Sequence, residues 1–522
     1  MTRTFNTAGP CDPRAHYMLS PERRIPSVRQ LIEDWSYFVL HAARQSGKTT
    51  SIRALAQTLT AEGKFAALAF TCEEAQAVGR DVDRGMPVIL SALRDAAQLH
   101  LPEELRPPEA DPEGPAESRL RALLRRWSTA CPRPLVLFFD EIDALYDEVL
   151  ISVLRQLRGG YPERPQGFPQ SVALVGLRDV RDYKIRIRPD RSTLGTASPF
   201  NIKVESVTLS NFTAEEVSDL LGQHTADTGQ AFTAEALELV HVLTGGQPWL
   251  VNALARQAVL RRPPEGGEAI DARTVEDCKE ILIQRRDTHL DSLVDRLREP
   301  RVRRVIEPIL AGAVLPADSL ADDAAFCRDL GLVTFGPAGV AIANPIYREV
   351  IPRALTYVME VTLPLPRASY AMDGGGLDLE LLLSDFRAFW LEHAEHFLKM
   401  APYSEAAAQL VFLAFVHKIV NGGGFVDREY AVGSGRVDLC IRWPLPDGSW
   451  QRHAFELKVW RDGRPDPLEQ GLEQLGGYLE RLGLEQGTLM IFDSRSGAAP
   501  LPERVAEERR ERGGRRIDVL RL

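Results

Sequence analysis

The chain has 522 residues, 44% hydrophobic and 26% charged, with a formal net charge of −10. That length allows about three or four domains, and the acidic balance excludes a broad nucleic-acid-coating surface while leaving room for a local basic cleft. The cysteines (11, 72, 131, 278, 327 and 440) form no CxxC pair, which argues against a zinc site or a disulfide framework, and no apolar run reaches transmembrane length or forms a signal core, so a cytoplasmic protein without a membrane partner is expected.

Residues 1–30 form a polar, proline-rich arm. Its Tyr17 is either a packing anchor or a stacking surface for a base. Residues 31–210 alternate short apolar runs with helical patterns, the signature of a parallel α/β sheet. The runs are Tyr37–Leu40, Ala66–Phe70, Leu135–Phe139, Val172–Val175 and Val204–Leu209. Leu101–Ser118, rich in Pro and Glu, reads as an exposed insertion or mobile loop.

The first run leads into His41-Ala-Ala-Arg-Gln-Ser-Gly-Lys-Thr-Thr50, and a helix follows. A loop holding Gly-Lys-Thr between strand and helix is a phosphate-binding context, because backbone N–H groups and the helix N-terminus attract anions. Ala42, Gln45, Ser46, Gly47, Lys48, Thr49 and Thr50 are the candidate binding residues, with Lys48 on the β- and γ-phosphates and Thr49 on Mg²⁺. Ala42 stands where the usual pattern has Gly, so the loop entry is expected to avoid a left-handed conformation. About 90 residues on, the run ending in Phe139 delivers Asp140, Glu141 and Asp143. Asp140 is expected to hold Mg²⁺ through water and Glu141 to act as general base on the attacking water. After the next run, Arg178 is a candidate γ-phosphate sensor, with Arg181 second; the alternative is a solvated pair balanced by Asp179 and Asp182.

Thr213-Ala-Glu-Glu216 is a capping box that opens an all-helical segment, about 212–290. Inside it lies Thr244-Gly-Gly-Gln-Pro248, a helix–loop–helix turn with Pro at a helix start. The order GKT, FFDEID, GLRD, TGGQP resembles the AAA-like, STAND and archaeal-type P-loop ATPases, over roughly residues 5–360. The resemblance implies ATP and Mg²⁺ as cofactors, a helical lid after the sheet, and a nucleotide role for Gln247 and Pro248 in the lid's Gly-x-Pro turn. It also implies a winged helix at 291–365, where helices precede two short strands around Gly336-Pro337. That module either binds DNA or packs between domains, and Asp322 and Asp323 favour packing.

Ala371–Gly376 signals a flexible linker, placed at 366–379. Beyond it, Glu405 opens a second helix. Gly435-Arg-Val-Asp438-Leu439 and the strand carrying Glu456 and Lys458 follow, and then a helix with Gln474 and Tyr478 one turn apart. Glu456 and Lys458 share a strand face, and Asp438 from the preceding strand can join them. Two carboxylates suit Mg²⁺ or Mn²⁺, and Lys458 suits a developing phosphorane charge. This order resembles the PD-(D/E)xK nuclease superfamily over about 380–495, with Val437 in place of the usual Pro. The resemblance implies catalytic roles for Glu405, Asp438, Glu456, Lys458, Gln474 and Tyr478, with Asp438 and Glu456 as metal ligands. Glu503–Arg516 reads as a solvated charged helix and turn before a last strand, Ile517–Leu522.

The expected architecture is α/β. It comprises an arm (1–30), a P-loop NTPase parallel sheet (31–210), a helical lid (211–290), a winged helix (291–365), a linker (366–379) and an α/β/α restriction-endonuclease-like domain (380–522). The expected function is an ATPase that regulates a metal-dependent nuclease on nucleic acid, DNA ahead of RNA, with homo-oligomerisation open. The alternative is a nucleotide-dependent switch whose nuclease-like domain binds nucleic acid or a partner without cutting.

Overall fold

Five apolar runs of the first half become five fully parallel strands: β1 (Tyr37–His41), β2 (Ala66–Thr71), β3 (Leu135–Asp140), β4 (Ser171–Gly176) and β5 (Lys203–Thr208), in the order β2-β3-β4-β1-β5. The computed structural model describes residues 3–177, 203–285, 293, 295–310, 315–316, 321–337, 339–362, 370–372, 374–400, 407–420, 424–432 and 435–522. The chain divides into two units, Met1–Arg285 with Arg328–Leu332, and Arg286–Cys327 with Val333–Leu522.

In the first unit β1 to β4 are buried and mostly apolar because both faces are covered, whereas the edge strand β5 exposes Glu205 and Thr208. Successive residues point to opposite sides. Tyr37 and Val39 join Leu68, Leu137 and Phe139 in one core with helices α4 (Val82–His100), α5 (Ala116–Ala130) and α6 (Asp147–Gly160). Phe38 and Leu40 join Val136, Phe138 and Val175 in the other, with α2 (Pro26–Glu33) and α3 (Lys48–Ala61). A short α1 (Pro21–Arg24) precedes α2. Four helices follow the sheet: α7 (Ala214–Thr228), α8 (Ala234–Thr244), α9 (Pro248–Arg261) and α10 (Ala272–Arg285). The capping box at Thr213 and Glu216 forms in both directions.

Leu101–Ser118 is mostly exposed, as expected, but it is pinned at a few apolar points. Leu101, Leu105 and Ala116 are buried in the core beside α4–α6. The Trp127 indole donates to the Leu105 carbonyl, and Arg94 holds Asp111. These apolar anchors hold an otherwise exposed segment against the core, which composition alone does not reveal.

The second unit opens with α11 (Pro300–Leu310), α12 (Ala321–Asp329) and an antiparallel hairpin of β6 (Val333–Gly336) and β7 (Gly339–Ile342), then α13 (Pro345–Thr362). Asp323 is paired with Arg301 and Arg304. Where a flexible linker is expected, the described residues form a closed turn. Ala371 bridges Leu377, Met372 N donates to Gly376 O, and the Trp443 indole donates to Gly375 O.

A six-stranded mixed sheet follows, in the order β12-β13-β11-β10-β9-β8. Its strands are β8 (Phe425–Val432), β9 (Gly435–Pro444), β10 (Trp450–Trp460), β11 (Gln486–Asp493), β12 (Ala506–Arg512) and β13 (Arg515–Arg521). Helix α16 (Leu468–Leu482) covers one face through Leu472, Leu475 and Leu479 against Ala454, Leu489, Ile491, Ile517 and Val519. Helices α14 (Leu379–Met400) and α15 (Ala407–Val420) meet the other face, where Trp390 packs on Phe492 and Phe412 on Phe455. The C-terminal region departs from its expected helix. After a single turn, α17 (Leu501–Arg504), it is a hairpin of β12 and β13. Gly513-Gly514 supplies two positive-φ residues at its turn. Among the described residues no helix is long and apolar enough to cross a membrane.

Candidate nucleotide and metal sites

The first site lies at the carboxyl ends of β1 and β3. Ala42 is buried, and its N–H donates to Gly176 O, so the loop entry continues the ladder to β4. Left-handed backbone falls later, on Gln45 (φ 56°) and Gly47 (φ 88°). This is why Ala is accommodated at position 42: the conformation that needs Gly lies at 47. Helix α3 starts on Lys48 directly after Gly47. The buried Lys48 Nζ donates to the Ala42 and Ala43 carbonyls at 2.9 and 3.0 Å. Burial pushes its ammonium below the ordinary range, while Glu141, Asp143 and Asp140 pull the other way. Ser46 Oγ donates to Ala43 O and closes the loop on itself.

Thr49 Oγ1 donates to Asp140 Oδ2 at 2.6 Å, joining residues 91 apart in sequence. The other Asp140 oxygen accepts the Glu141 N–H. Burial raises the Asp140 carboxyl above its usual range against the bond from Thr49. Glu141 is raised too, by burial first and then by Asp143, and its backbone is left-handed at φ 51°. Such non-glycine outliers cost of order 1–3 kcal/mol and cluster at functional sites. A hydroxyl beside a carboxylate is an oxygen donor set suited to Mg²⁺, so Thr49 and Asp140 fit that ion. Asp143, given no role by the sequence reading, accepts the Leu177 N–H at 3.2 Å and so ties the ends of β3 and β4 together. Its only sequence signal is a third acid in FFDEID.

Gln247 is the N-cap of α9. Its Oε1 accepts from Leu250 N at 2.6 Å, and its Nε2 lies 3.4 Å from the Gln45 carbonyl. One carboxamide therefore caps the helix and touches the loop. Pro248 is the first residue of α9, where its missing N–H costs nothing. Gly246 is held against Phe212: an added Cβ falls 1.9 Å from the Phe212 carbonyl oxygen. The Thr50 hydroxyl accepts the Cys11 N–H, which fastens the N-terminal arm to α3. Tyr17 is 1% exposed and packs on Phe5 and His224, which is the packing alternative rather than the stacking one. Arg178 and Arg181 lie outside the described residues.

The second site sits where β9 and β10 diverge. Their register runs to Leu439↔Phe455; beyond it the Leu457 N–H is taken by Asp438 Oδ2 at 2.8 Å. Lys458 Nζ donates to Glu456 Oε1 at 2.6 Å. The buried Glu456 Oε2 has no hydrogen-bond partner. Burial pushes Glu456 up to about 7, with repulsion from Asp438 adding to it and Lys458 opposing it. An orphaned carboxylate oxygen beside a second carboxylate fits a divalent cation with oxygen preference. Among the described residues no three or more His, Cys, Asp or Glu side chains gather as a metal cluster. Gln474 and Tyr478 lie on α16, and Gln474 Oε1 is also buried without a partner. Glu405 lies outside the described residues.

No protein-family model matches the chain, and no curated protein does. Among solved structures, the chain is similar to the Walker-type ATPase paby2304 of Pyrococcus abyssi, at 15% identity over 66% of this chain and 99% of the other, with a TM-score of 0.47. It is also similar to the Aeropyrum pernix ORC2 protein in its ADPNP–ADP complexes (15% identity, 64% and 94%, TM-score 0.40). A third is the Thermotoga maritima RuvB Holliday junction branch migration motor (13% identity, 64% and 97%, TM-score 0.35). These likenesses are too distant to carry a function. The five-stranded parallel sheet, with its loop at the carboxyl end of β1, is consistent with a P-loop NTPase fold.

Proposed function

We propose that the first unit binds ATP with Mg²⁺ and hydrolyses it, and that this regulates a metal-dependent nuclease centred on Asp438, Glu456 and Lys458. The observation that carries the first half is the convergence of Lys48, Thr49, Asp140 and Glu141 from two strands. Lys48 exchanges two main-chain carbonyls for phosphate oxygens. Thr49 and Asp140 hold Mg²⁺, which supplies charge neutralisation when bound. Glu141, already raised by burial, takes a proton from the attacking water. Gln247 passes the state of the loop to the cap of α9.

In the second half, Asp438 and Glu456 hold Mg²⁺ or Mn²⁺, which supplies Lewis acidity and a more acidic water. Lys458 stabilises charge on the phosphate. The 2.6 Å ion pair between Lys458 and Glu456 also supports a second reading, a site that grips nucleic acid without cutting it. The helices and hairpin at 300–342 are proposed as a winged helix.

The deciding assay sets the purified chain against plasmid, linear duplex, single strands and RNA, with Mg²⁺ or Mn²⁺, with and without ATP. Asp438→Ala and Glu141→Gln are its controls. Glu141→Gln should retain ATP while turnover falls about 10²–10⁴-fold, and lock one cleavage level. Equal cleavage with and without ATP in both forms removes the coupling; cleavage that survives Asp438→Ala removes the nuclease assignment.

A further inference from the structure

We propose that the β12–β13 ribbon grips duplex DNA through its phosphates and seats the substrate of the carboxylate–lysine site on the same sheet, an inference that rests on the nuclease reading above. In a chain of net charge −10, residues 509–516 read Arg-Arg-Glu-Arg-Gly-Gly-Arg-Arg, five arginines against one glutamate. β12 is the edge strand and is almost wholly exposed. Edge strands are often charged to discourage strand pairing, but alternating signs would serve that purpose, and the tip is nearly all positive. Nothing approaches within 4 Å of a Cβ placed on Gly513 or Gly514, so the tip stands in open space.

The acids nearby leave an excess of positive charge. Arg509 and Arg516 share the single carboxylate of Asp518. Arg510 pairs with Glu508, and Arg512 reaches Glu469 only at 3.9 Å. Arg515 donates to the carbonyl oxygens of Leu484 and Gly513. Arg509, Arg510, Arg515 and Arg516 line an open recess of about 1290 Å³ with Gly483–Gln486, Gly514 and Glu511, four arginines against the two acids Glu485 and Glu511.

The chemistry selects the partner. The tip carries only Arg, Glu and Gly, with no apolar side chain to enter a bilayer. A two-stranded ribbon fits the major groove of B-form DNA, whereas the A-form groove of RNA is too narrow for it. Three strand steps separate β12 from β10, and the register places Arg516 level with Gln486, three residues before the Leu489 that faces Glu456. That puts ribbon and carboxylates about 17–20 Å apart, a span of about six base pairs.

The test is fluorescence anisotropy of a duplex of about three helical turns, in Ca²⁺ without Mg²⁺, over a salt series. The variant carries Arg510→Gln and Arg512→Gln; Arg510→Lys with Arg512→Lys is the rescue, and Arg14→Gln with Arg298→Gln is the charge-matched control. The Gln variant should lower the salt slope by about two and the low-salt affinity about tenfold, with the Lys variant recovering both. A parental slope in a Gln variant with parental thermal stability overturns the proposal. Equal or stronger ribbon-dependent binding to double-stranded RNA or to phosphatidylserine vesicles overturns it too. Mn²⁺ cleavage with ribbon-independent binding removes the ribbon and keeps the nuclease. Ribbon-dependent binding without cleavage does the reverse.

Discussion

Both candidate sites set a lysine near carboxylates, Lys48 at the start of α3 and Lys458 within β10, but the two lysines are held differently. Lys48 bonds to neutral carbonyls, while the acids that stabilise its charge, Glu141, Asp143 and Asp140, arrive from a strand about 90 residues away. Lys458 is two residues from Glu456 on one strand and bonds to it directly. A ligand at the first site displaces dipoles; a ligand at the second competes with, or stands beside, an ion pair. Under the proposed function the first site would accept an anion, whereas the second would hold its charges against each other until a cation bound.

The largest effects should come from the lysines, and they should differ in sign. Lys48→Ala should weaken ATP binding and cut hydrolysis about 10²–10³-fold, the scale of a lost transition-state donor. Lys458→Ala should cut Mn²⁺-dependent cleavage by a similar factor and yet tighten Mn²⁺ binding severalfold, since Glu456 loses its competitor. Calorimetry with each variant reads both, and weaker Mn²⁺ binding in Lys458→Ala would break the contrast.

Next comes the buried pair that fastens the arm to the lid. Arg24 and Glu216 side chains are 6% and 8% exposed, and Arg24 also bonds to Ser210 O at the entry to α7. Arg24→Met should cost about 3–5 kcal/mol by stranding Glu216, read as a lowered melting temperature of the first unit. No change would show that the pair is matched by its own desolvation.

The second unit should be the one that responds to mild acid. His453 is fully buried, Nε2 lies 2.8 Å from Thr488 Oγ1, and burial lowers the imidazole from 6.5 to about 4 despite Asp518. The unfolded chain takes up a proton in that window and the folded one does not. The His453 contribution is therefore full above about 6.5 and falls by about 3 kcal/mol as pH drops toward 4, while Glu456, raised to about 7, works in the opposite direction between about 4.5 and 7, so the His453 share is read as the difference between the parent and His453→Gln. Denaturant midpoints across this range should slope less in His453→Gln; an unaltered slope would place the acid response elsewhere. The smallest effect is expected for Thr50→Val. It removes the acceptor of the Cys11 N–H and should cost about 1 kcal/mol, measurable as faster amide exchange in the arm.

Much of this was legible in the residues. The five runs lie where the parallel strands form, and four of them are apolar because a strand buried on both faces favours apolar residues; the fifth, at the edge, keeps Glu205 and Thr208 exposed. The capping box and the helix start at Pro248 were equally plain, because each is a local hydrogen-bond requirement. Leu101–Ser118 is exposed yet anchored, and Ala371–Gly376 closes where a flexible linker is expected, for a shared reason. Their Pro and Gly residues announce turns, but whether a turn is loose depends on partners far away, such as Trp127 and Trp443. The C-terminal hairpin was read as a helix because a run of Glu and Arg suits a solvated helix as well as an edge strand, and only the pairing with β13 selects the strand.

By itself the sequence determined the chemistry available at each place: a Gly-Lys-Thr loop, acids at the end of an apolar strand, and a Glu and Lys on one strand face. Those are matters of period and short-range geometry. Only the tertiary structure decided which groups meet. It set Thr49 against Asp140 and pressed Gln247 toward the loop at Gln45. It let the left-handed backbone fall on Gln45 and Gly47, so that Ala42 could stay. It left β12 exposed at the sheet edge while β13 packs inward through Ile517, Val519 and Leu520. Such meetings depend on chain crossovers and on burial, and burial strengthens each charge interaction by removing water, which no local pattern of residues encodes.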